Sequence, residues 1–303
     1  MSDDRVSVVV LTHDRPAELE RTLSRLVALP ETPRLVVVDN ASAPGCVDAV
    51  LRRFPGVDCV RCEANLGAAG RNAGVDRVQT RYVAFCDDDT WWAPGAVQRA
   101  ADLLDAHPAI AALSARVLVE PGQRTDPTCE HMARSPLRGA GLPGAELIAF
   151  MAGATVMRTA AYREGGGYEP RLFLGAEELL LGLDFAARGW RMVYAPDVVT
   201  HHAPSAAGRI PRARTIALAR NRLWIAWMRL PASTAWRETS RWLRHAADQD
   251  VRSAVLRQAL AGLPWALSRR RVVPLRVDAM YRAVYLDTND SPARRAEPQA
   301  ERS

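Results

Sequence analysis

The sequence predicts an α/β fold, a mixed sheet flanked by helices, followed by a C-terminal helical region. Two apolar runs rich in β-branched residues, at 6–12 and 34–40, flank a segment of helical periodicity and indicate a strand–helix–strand unit. After residue 210 the composition changes to helical patterns rich in Trp and Arg. We therefore predict a sheet domain over 1–210, a helical region over 211–287 and a disordered tail over 288–303, where Pro, Arg, Glu and Ala dominate.

The first strand is predicted at Val6–Thr12, where a continuous apolar run is typical of a strand covered on both faces. Pro16 then fits the first turn of a helix, with Asp14 available as its cap. Leu19 and Leu23 continue at helical spacing, and the second strand follows at 34–40. These elements are the start of a parallel sheet.

Polar residues close three of the predicted strands, at 12–14, 39–42 and 87–89. In open α/β sheets, ligands bind outside the carboxyl ends of the strands, so the three clusters predict one site at a shared edge. Taken alone, Asp39 is equally explained as a helix cap for the segment that starts at Pro44. The coincidence of three clusters favours the functional interpretation.

The third of these clusters is the acidic triplet Asp87-Asp88-Asp89, which follows a short apolar strand at 82–85. Adjacent carboxylates repel one another, and a divalent cation such as Mg²⁺ or Mn²⁺ relieves that repulsion by taking oxygen ligands from one or two of them. The alternative is a solvated acidic turn. The neighbouring motifs favour the cation.

A glycine-rich segment lies between the second strand and the triplet, with glycines at 67, 70 and 74. Such a segment permits tight turns and close backbone approach, and a helix starting near Gly70 would present its N-terminus to the same edge. Its spacing matches neither the dinucleotide-binding fingerprint nor a P-loop. On its own it predicts only a place for a phosphate or a base.

Further along the chain, we predict a helix over 93–107, a strand over 109–119 and a long surface loop over 123–144. A strand over 150–158 and a bend at 165–167 follow. Glu177 and Glu178 then open a helix, where the macrodipole alone, worth about 0.3–1 kcal/mol, explains one acid but not two. The last predicted strand, 190–202, ends in His201 and His202.

Four blocks in the first third of the chain resemble the inverting, nucleotide-sugar-dependent glycosyltransferases of family 2, which have the GT-A fold. In the family's order, they are residues 6–14, 37–42, 65–72 and 85–89. The resemblance implies that 1–210 is a GT-A (Rossmann-like) catalytic domain, which moves a hexose or related sugar from a nucleoside diphosphate to an acceptor hydroxyl with inversion. It also implies a divalent cation, Mg²⁺ or Mn²⁺, as the cofactor.

The same resemblance implies individual roles. Contacts with the nucleotide sugar would come from Thr12, Asp14, Asp39, Asn65, Arg71, Asn72, Asp87 and Asp88. Asp87 and Asp89, as an Asp-x-Asp pair, and His201 would hold the metal, with His202 as the competing histidine. Family 2 enzymes commonly show Gly-x-Glu-Asp where this chain has Glu177-Glu178, so Glu178 would deprotonate the acceptor, with Glu177 as the alternative. The loop over 123–144 would border the acceptor.

Two other functions compete with this interpretation. A nucleotidyltransferase would carry a glycine-rich basic loop directly after the first strand, and residues 12–16 are not such a loop. A non-catalytic module that binds sugar nucleotides would not need the triplet, the paired glutamates and the histidine together. The partners we expect are a nucleoside-diphosphate sugar and a small-molecule, glycan or lipid-linked acceptor.

The formal net charge of +6 does not predict a nucleic-acid partner, because the basic excess lies mainly after Arg209. No charged-then-apolar leader opens the chain, and no apolar stretch approaches the ~20 residues that span a bilayer, so we expect a cytoplasmic protein. The helices of 211–287 either pack on the core or contact the inner face of the membrane peripherally through Trp and Arg. The five cysteines predict only structural roles.

Overall fold

The structure, a computed structural model, describes residues 4–205 and 211–287, and the predicted disordered tail lies outside them. In this part of the chain, nine strands form one mixed sheet in the order β3-β2-β1-β4-β8-β6-β9-β5, with β7 paired to β6. The strands are β1 Val6–Thr12, β2 Arg34–Asp39, β3 Asp58–Arg61, β4 Tyr82–Asp87, β5 Thr90–Trp92, β6 Ile110–Val119, β7 Arg124–Thr125, β8 Thr155–Arg158 and β9 Arg191–His202. The predicted mixed sheet with flanking helices is confirmed.

Helices cover the sheet and continue beyond it. They are α1 Pro16–Leu26, α2 Asp48–Leu51, α3 Gly70–Val75, α4 Ala96–Ala106, α5 Pro127–Ala133, α6 Thr159–Gly165, α7 Glu177–Ala187, α8 Pro211–Arg229, α9 Ala232–His245, α10 Gln249–Ser268 and α11 Leu275–Tyr285. The predicted helix that opens with the paired glutamates is confirmed as α7.

The parallel half of the sheet brings the predicted polar clusters to one edge. β1 pairs in parallel with β2 on one side and β4 on the other, so Thr12 lies opposite Asp39 and Leu11 lies opposite Asp87. These three strands are almost completely buried, as the unbroken apolar runs predicted. Their carboxyl ends therefore form one shared edge.

The antiparallel half brings the end of the last strand to the same place. β5 pairs antiparallel with β9, which sets Thr90 opposite His202 and Trp91 opposite His201. Because β5 starts one residue after the acidic triplet, this pairing carries both histidines to the vicinity of Asp89. Because Asp89 and the histidines are more than a hundred residues apart in the sequence, this proximity could not be predicted from it.

Three local predictions are wrong. The predicted strand over 150–158 is limited to β8, Thr155–Arg158, because residues Ala152–Ala154 form a 3₁₀ turn. Asp14 does not cap α1: Arg15 is at the N-cap without a side-chain cap bond, while Asp14 accepts a hydrogen bond from the Ala43 amide instead. The predicted loop over 123–144 contains β7 and α5, and Asp126 caps α5 by accepting from the Thr128 amide. Both elements are too short to show a hydrophobic period.

The C-terminal helices share a hydrophobic core with α7. Leu180 and Leu183 of α7 belong to the same buried cluster as Ile225 of α8 and Tyr281 of α11. The Trp224 indole is buried and donates to the Ala259 carbonyl (2.9 Å), so packing on the core explains this tryptophan. Among the described residues, none of the helices has both the length and the apolar content to cross a bilayer.

Candidate active site

The loops that follow β1 and β2 are tied to each other by polar side chains. Asp39 is buried, and its Oδ1 accepts from the Ser42 amide (2.9 Å). Asp14 has a left-handed backbone, with φ of +54°, and its Oδ1 accepts from the Ala43 amide (2.7 Å). Asp14 and Asp39, the two acids that the family resemblance assigns to the nucleoside, are therefore fixed at the carboxyl edge of the sheet.

Arg15 bridges two acids of the triplet. Its guanidinium contacts Asp88 (2.5 Å) and Asp89 (2.9 Å), and Asp88 also accepts from the Thr12 hydroxyl (2.9 Å). Burial raises the pKa of Asp88 to about 7, although Arg15 and Thr12 act in the opposite direction. Burial acts in the same direction on Asp89, but the neighbouring His202 and Arg15 outweigh it and hold the pKa of Asp89 below its usual range.

The two histidines at the end of β9 face different neighbours. His202 Nε2 lies 3.6 Å from Asp89 Oδ1. His201 Nδ1 lies 2.8 Å from the Glu120 carboxylate, and the His201 ring stacks on Trp91 at a centroid distance of 5.5 Å. The structure thus brings His202 to the acidic triplet, while His201, the histidine favoured from the sequence, is engaged elsewhere. Alternating side-chain directions along a strand explain why only one of the pair reaches Asp89.

Asp87 pairs with Arg71, whereas the other two acids of the triplet pair with Arg15. It forms an ion pair with Arg71, a buried arginine whose charge interacts with both Glu177 and Glu178. Gly153 packs against the opposite side of Asp87, where a Cβ would lie only 2.5 Å from its Oδ2. Arg71 therefore contacts the acidic triplet directly, and its charge also acts on the two glutamates at the start of α7.

Glu177 and Glu178 differ in accessibility. Glu177 is 3% exposed, and its Oε2 is buried with no hydrogen-bond partner among the described residues. Glu178 is half-buried, so it is the more accessible of the two. Burial, reinforced by the Glu177 charge, raises the pKa of Glu178 to about 8. Burial also raises the pKa of Glu177.

Two residues predicted to contact the nucleotide, Asn65 and Asn72, form hydrogen bonds within the protein. The Asn72 amide nitrogen donates to the Tyr168 carbonyl (2.8 Å), and its oxygen accepts from the Tyr162 hydroxyl (2.5 Å) and the Tyr168 amide (2.9 Å). Asn65 is half-buried, and its oxygen accepts from Asn40 (3.0 Å) and from the Gly67 amide (2.9 Å). Asn72 thus holds α3 against the segment after α6, and Asn65 stabilises the glycine-rich turn.

The loop that precedes α7 has an unusual backbone. Phe173 has φ of +61° and ψ of −71°, a γ-turn closed by a hydrogen bond from the Leu174 amide to the Leu172 carbonyl (2.7 Å). Ala176 has φ of +64°. Non-glycine residues in such conformations cost on the order of 1–3 kcal/mol each, so other contacts must hold the loop.

Asn221 of α8 supplies those contacts. Its fully buried amide nitrogen donates to the carbonyl oxygens of Leu172 (2.8 Å), Leu174 (3.2 Å) and Gly175 (2.7 Å). Its own oxygen accepts from Arg220 Nε (3.0 Å). On the other side of the loop, the Phe173 carbonyl accepts from the Ala68 amide (2.7 Å), and a Cβ on Gly67 would come within 2.0 Å of that carbonyl.

Asn221 and Arg15 were not among the predicted site residues. One available signal for Asn221 is an amide placed within an otherwise apolar helical pattern, since a buried polar group must find partners. For Arg15, the signal is its position directly after the polar end of β1. Neither signal identifies the partner, because both partners come from distant parts of the chain.

The described residues contain no closed metal site. In residues 4–205 and 211–287, no three His, Cys, Asp or Glu side chains form a set that could hold a metal ion on its own. Mg²⁺ commonly uses only one or two carboxylates and completes its shell with water and substrate phosphates. Asp87 is paired with Arg71, and Asp89 is paired with Arg15. A cation bound here would therefore use these two carboxylates at most and would take its other ligands from water and the substrate diphosphate.

Comparison with known proteins gives a consistent match. The profile of glycosyl transferase family 2 matches residues 7–166. An N-acetylglucosaminyl-diphospho-decaprenol L-rhamnosyltransferase of Mycobacterium tuberculosis is 27% identical over 247 residues, which cover 69% of this chain and 79% of that protein. An uncharacterised glycosyltransferase of Bacillus subtilis is 31% identical over 102 residues, 32% of this chain and 37% of that protein.

Solved structures share the fold. A mannosyltransferase from Pyrobaculum calidifontis, in complex with GDP-Man and Mn²⁺, superposes with a TM-score of 0.58 at 21% identity and covers 96% of this chain and 78% of its own. S. aureus TarS 1–349, in complex with UDP-GlcNAc, superposes with a TM-score of 0.61 at 18% identity and covers 92% and 87%. At these identities the likeness concerns the fold.

Proposed function

The chain belongs to glycosyltransferase family 2 and has the GT-A fold, and we propose that it transfers a sugar from a nucleoside-diphosphate sugar to an acceptor hydroxyl, with inversion and with a divalent cation. One observation carries the proposal: buried Arg71 forms an ion pair with Asp87 of the acidic triplet, and its charge also opposes the rise in the pKa of Glu177 and of Glu178. One arginine thereby interacts with groups suited to the donor diphosphate and with groups suited to the acceptor.

Donor binding is assigned to the edge formed by β1, β2 and β4. Asp14 and Asp39 would accept hydrogen bonds from the nucleoside, since carboxylates are acceptors only. Asp87 and Asp89 would hold the cation, and His202 is the nitrogen donor within reach of Asp89. When bound, a divalent cation supplies Lewis-acid stabilisation of the negative charge that develops on the leaving diphosphate.

Glu178 is assigned as the general base. It is more accessible than Glu177, and its raised pKa, about 8, makes the ionised carboxylate a stronger base for the acceptor's proton, although the carboxylate is the minority form at neutral pH. Proton removal by a positioned carboxylate contributes roughly 10²- to 10⁴-fold to the rate. Attack from the side opposite the leaving diphosphate then inverts the anomeric centre. Glu177, buried behind it, acts through the electrostatics of the pair.

A lipid-linked acceptor is the class we favour. The M. tuberculosis relative is named for transfer to N-acetylglucosaminyl-diphospho-decaprenol, and this chain aligns with 79% of it. Family membership does not favour a nucleotidyltransferase. The cytoplasmic location and the division at residue 210 stay predictions.

Donor binding tests the proposal. Thermal stabilisation is measured with UDP-, GDP- and dTDP-sugars, each in Mn²⁺ and in EDTA. We expect one donor to raise the Tm only in Mn²⁺, by mass action on the native state, with about 2.7 kcal/mol of stabilisation at a hundredfold excess over Kd. Asp87→Asn keeps an oxygen for Arg71 and should lose the Mn²⁺-dependent part of the shift.

Asp58→Asn is the matched control, because Asp58 is an exposed carboxylate paired with an arginine, Arg34, on β2. Its Mn²⁺-dependent shift should equal that of the wild type. The proposal fails if no donor stabilises the wild type in Mn²⁺, or if Asp87→Asn retains the full shift.

A further inference from the structure

The C-terminal helices are strongly basic. Residues 211–287 contain 15 arginines and 5 acidic residues, whereas the formal charge of the entire chain is only +6. Within them, the stretch 251–277 contains six arginines and no Asp or Glu. This stretch comprises most of α10, the connection to α11 and the first residues of α11. Within this stretch of the helical region, no acidic residue in the sequence offsets the positive charge of the arginines.

The same stretch exposes large apolar side chains. Leu260, Leu267, Val272 and Leu275 are between 44% and 79% exposed, and we call these four residues the apolar strip. Leu260 and Leu267 lie seven residues apart, two turns on one face of α10, and exposed Pro264 lies between them. Isolated exposed leucines are ordinary, but a run of them along one helix face and into the next helix indicates a contact surface.

Arginines border the apolar strip. Arg257 is exposed and continues the face of α10 that carries Leu260, because it lies three residues before that leucine. Arg271 is exposed in the connection between α10 and α11, next to Val272. An apolar face bordered by arginines is the pattern of a segment that lies in the interface of an anionic bilayer. A nucleic acid would use the arginines but would leave the leucines in water.

The apolar strip adjoins the loop that leads to the paired glutamates. Arg269, two residues after Leu267, contacts Glu169 (3.4 Å), and the Arg171 guanidinium lies 4.8 Å from the centre of the Trp265 ring. The loop then continues to Phe173 and Leu174, both of which are also exposed. The C-terminal end of α10, after which the apolar strip continues into α11, thus contacts the loop that leads to the proposed acceptor side of the active site.

We propose that the apolar strip, with Arg257 and Arg271, docks the protein on an anionic lipid bilayer. The inference rests in part on the proposed function, because a lipid-linked acceptor gives the active site a reason to face a membrane. Of the five tryptophans in 211–287, Trp224 is buried, Trp227, Trp242 and Trp265 are half-buried, and Trp236 is exposed on α9, outside the apolar strip. The membrane contact considered from the sequence thus moves from Trp and Arg in general to the apolar strip with Arg257 and Arg271.

Co-sedimentation of the full chain with vesicles tests this proposal. We expect the wild type to bind vesicles of phosphatidylcholine with phosphatidylglycerol, to bind pure phosphatidylcholine weakly, and to bind less at high salt because salt screens the charges. The double variant Leu267→Gln/Leu275→Gln should lower partitioning at least about tenfold. Arg257→Gln/Arg271→Gln should lower it and remove most of the salt dependence.

Val27→Gln and Arg52→Gln are matched controls, since both residues are exposed but lie on the sheet domain. Both should bind vesicles like the wild type, and all variants should keep the donor-dependent thermal shift. The proposal is overturned if the wild type ignores anionic vesicles, if the apolar strip variants bind them normally, or if the strip instead mediates a stable dimer in light scattering. If the wild type binds no donor, the result counts against the proposed function. If it binds donor but no vesicles, the result counts only against this inference.

Discussion

Glu177 and Glu178 are neighbours in the sequence but lie in different surroundings. The difference between Glu177, which is 3% exposed, and half-buried Glu178 depends on how the loop before α7 packs. The same holds for His201 and His202, because the pairing of β5 with β9 determines that His202 is the histidine that reaches Asp89. Long-range contacts therefore determine the choice within each pair.

The turnover of Glu178→Gln tests its role as the base. The amide keeps the size of the side chain but cannot accept the proton, so kcat should fall by roughly 10²- to 10⁴-fold with little change in donor affinity. In the wild type, kcat should rise with pH and reach half of its maximum near pH 8. The reason is that the base must be ionised and the pKa of Glu178 is raised to about 8. This apparent value belongs to the pair with Glu177. A larger kcat loss in Glu177→Gln would assign the base to Glu177.

The pH dependence of the Tm of the ligand-free protein is a second, independent test of the same pKa. The pKa of Glu178 is about 8 in the folded protein, against an ordinary value of 4.5. The folded state therefore holds the proton longer than the unfolded chain, and the contribution of this group to stability falls as the pH rises from about 4.5 to about 8. Glu178→Gln should unfold at a higher Tm than the wild type at pH 8.5 and at a similar Tm at pH 4.5. An equal difference in Tm at both pH values would contradict the raised pKa.

At the scale of elements, α8 holds the loop that positions the base. Phe173 and Ala176 have strained backbone conformations. The hydrogen bonds that Asn221 donates to three carbonyls of that loop stabilise them. Asn221→Ala should lower kcat roughly 10- to 100-fold, since small displacements of a reacting group are costly, and leave donor affinity nearly unchanged. Asn221→Ser retains one donor and should be intermediate. The measurement is kcat and donor KM for each variant.

Met228→Ala controls for general damage to the same helix. Met228 is buried on α8, and its truncation should cost about 2–5 kcal/mol of stability without touching the loop. Its kcat should match the wild type well below the Tm. If Met228→Ala and Asn221→Ala lose the same kcat, Asn221 has no specific positioning role.

Elements were predictable from the sequence where their pattern is long or unbroken. β1, β2 and β4 are buried on both faces and appear as continuous apolar runs, and α1 and α7 begin within a residue or two of where the sequence indicated. β7, with two residues, and α5, with seven, are too short for a period to emerge. Their positions depend on pairing with β6 and on the Asp126 cap.

The whole molecule combines an acidic site on the sheet with a basic helical region that shares the core of α7. The fold class was predictable because the strand–helix–strand order and the polar strand ends are local features. The attachment of the helical region was not, because it depends on packing between α7 and helices that follow much later in the chain.

The anomeric configuration of the product tests the central claim most directly. With a donor identified by thermal shift, Mn²⁺ and a competent acceptor, the product is followed by ¹H NMR from the first turnovers. Direct displacement, with Glu178 as the base and the diphosphate leaving from the opposite side, predicts an anomeric configuration opposite to that of the donor. A product that retains the donor's configuration, or transfer that proceeds undiminished in Glu178→Gln, would contradict the account.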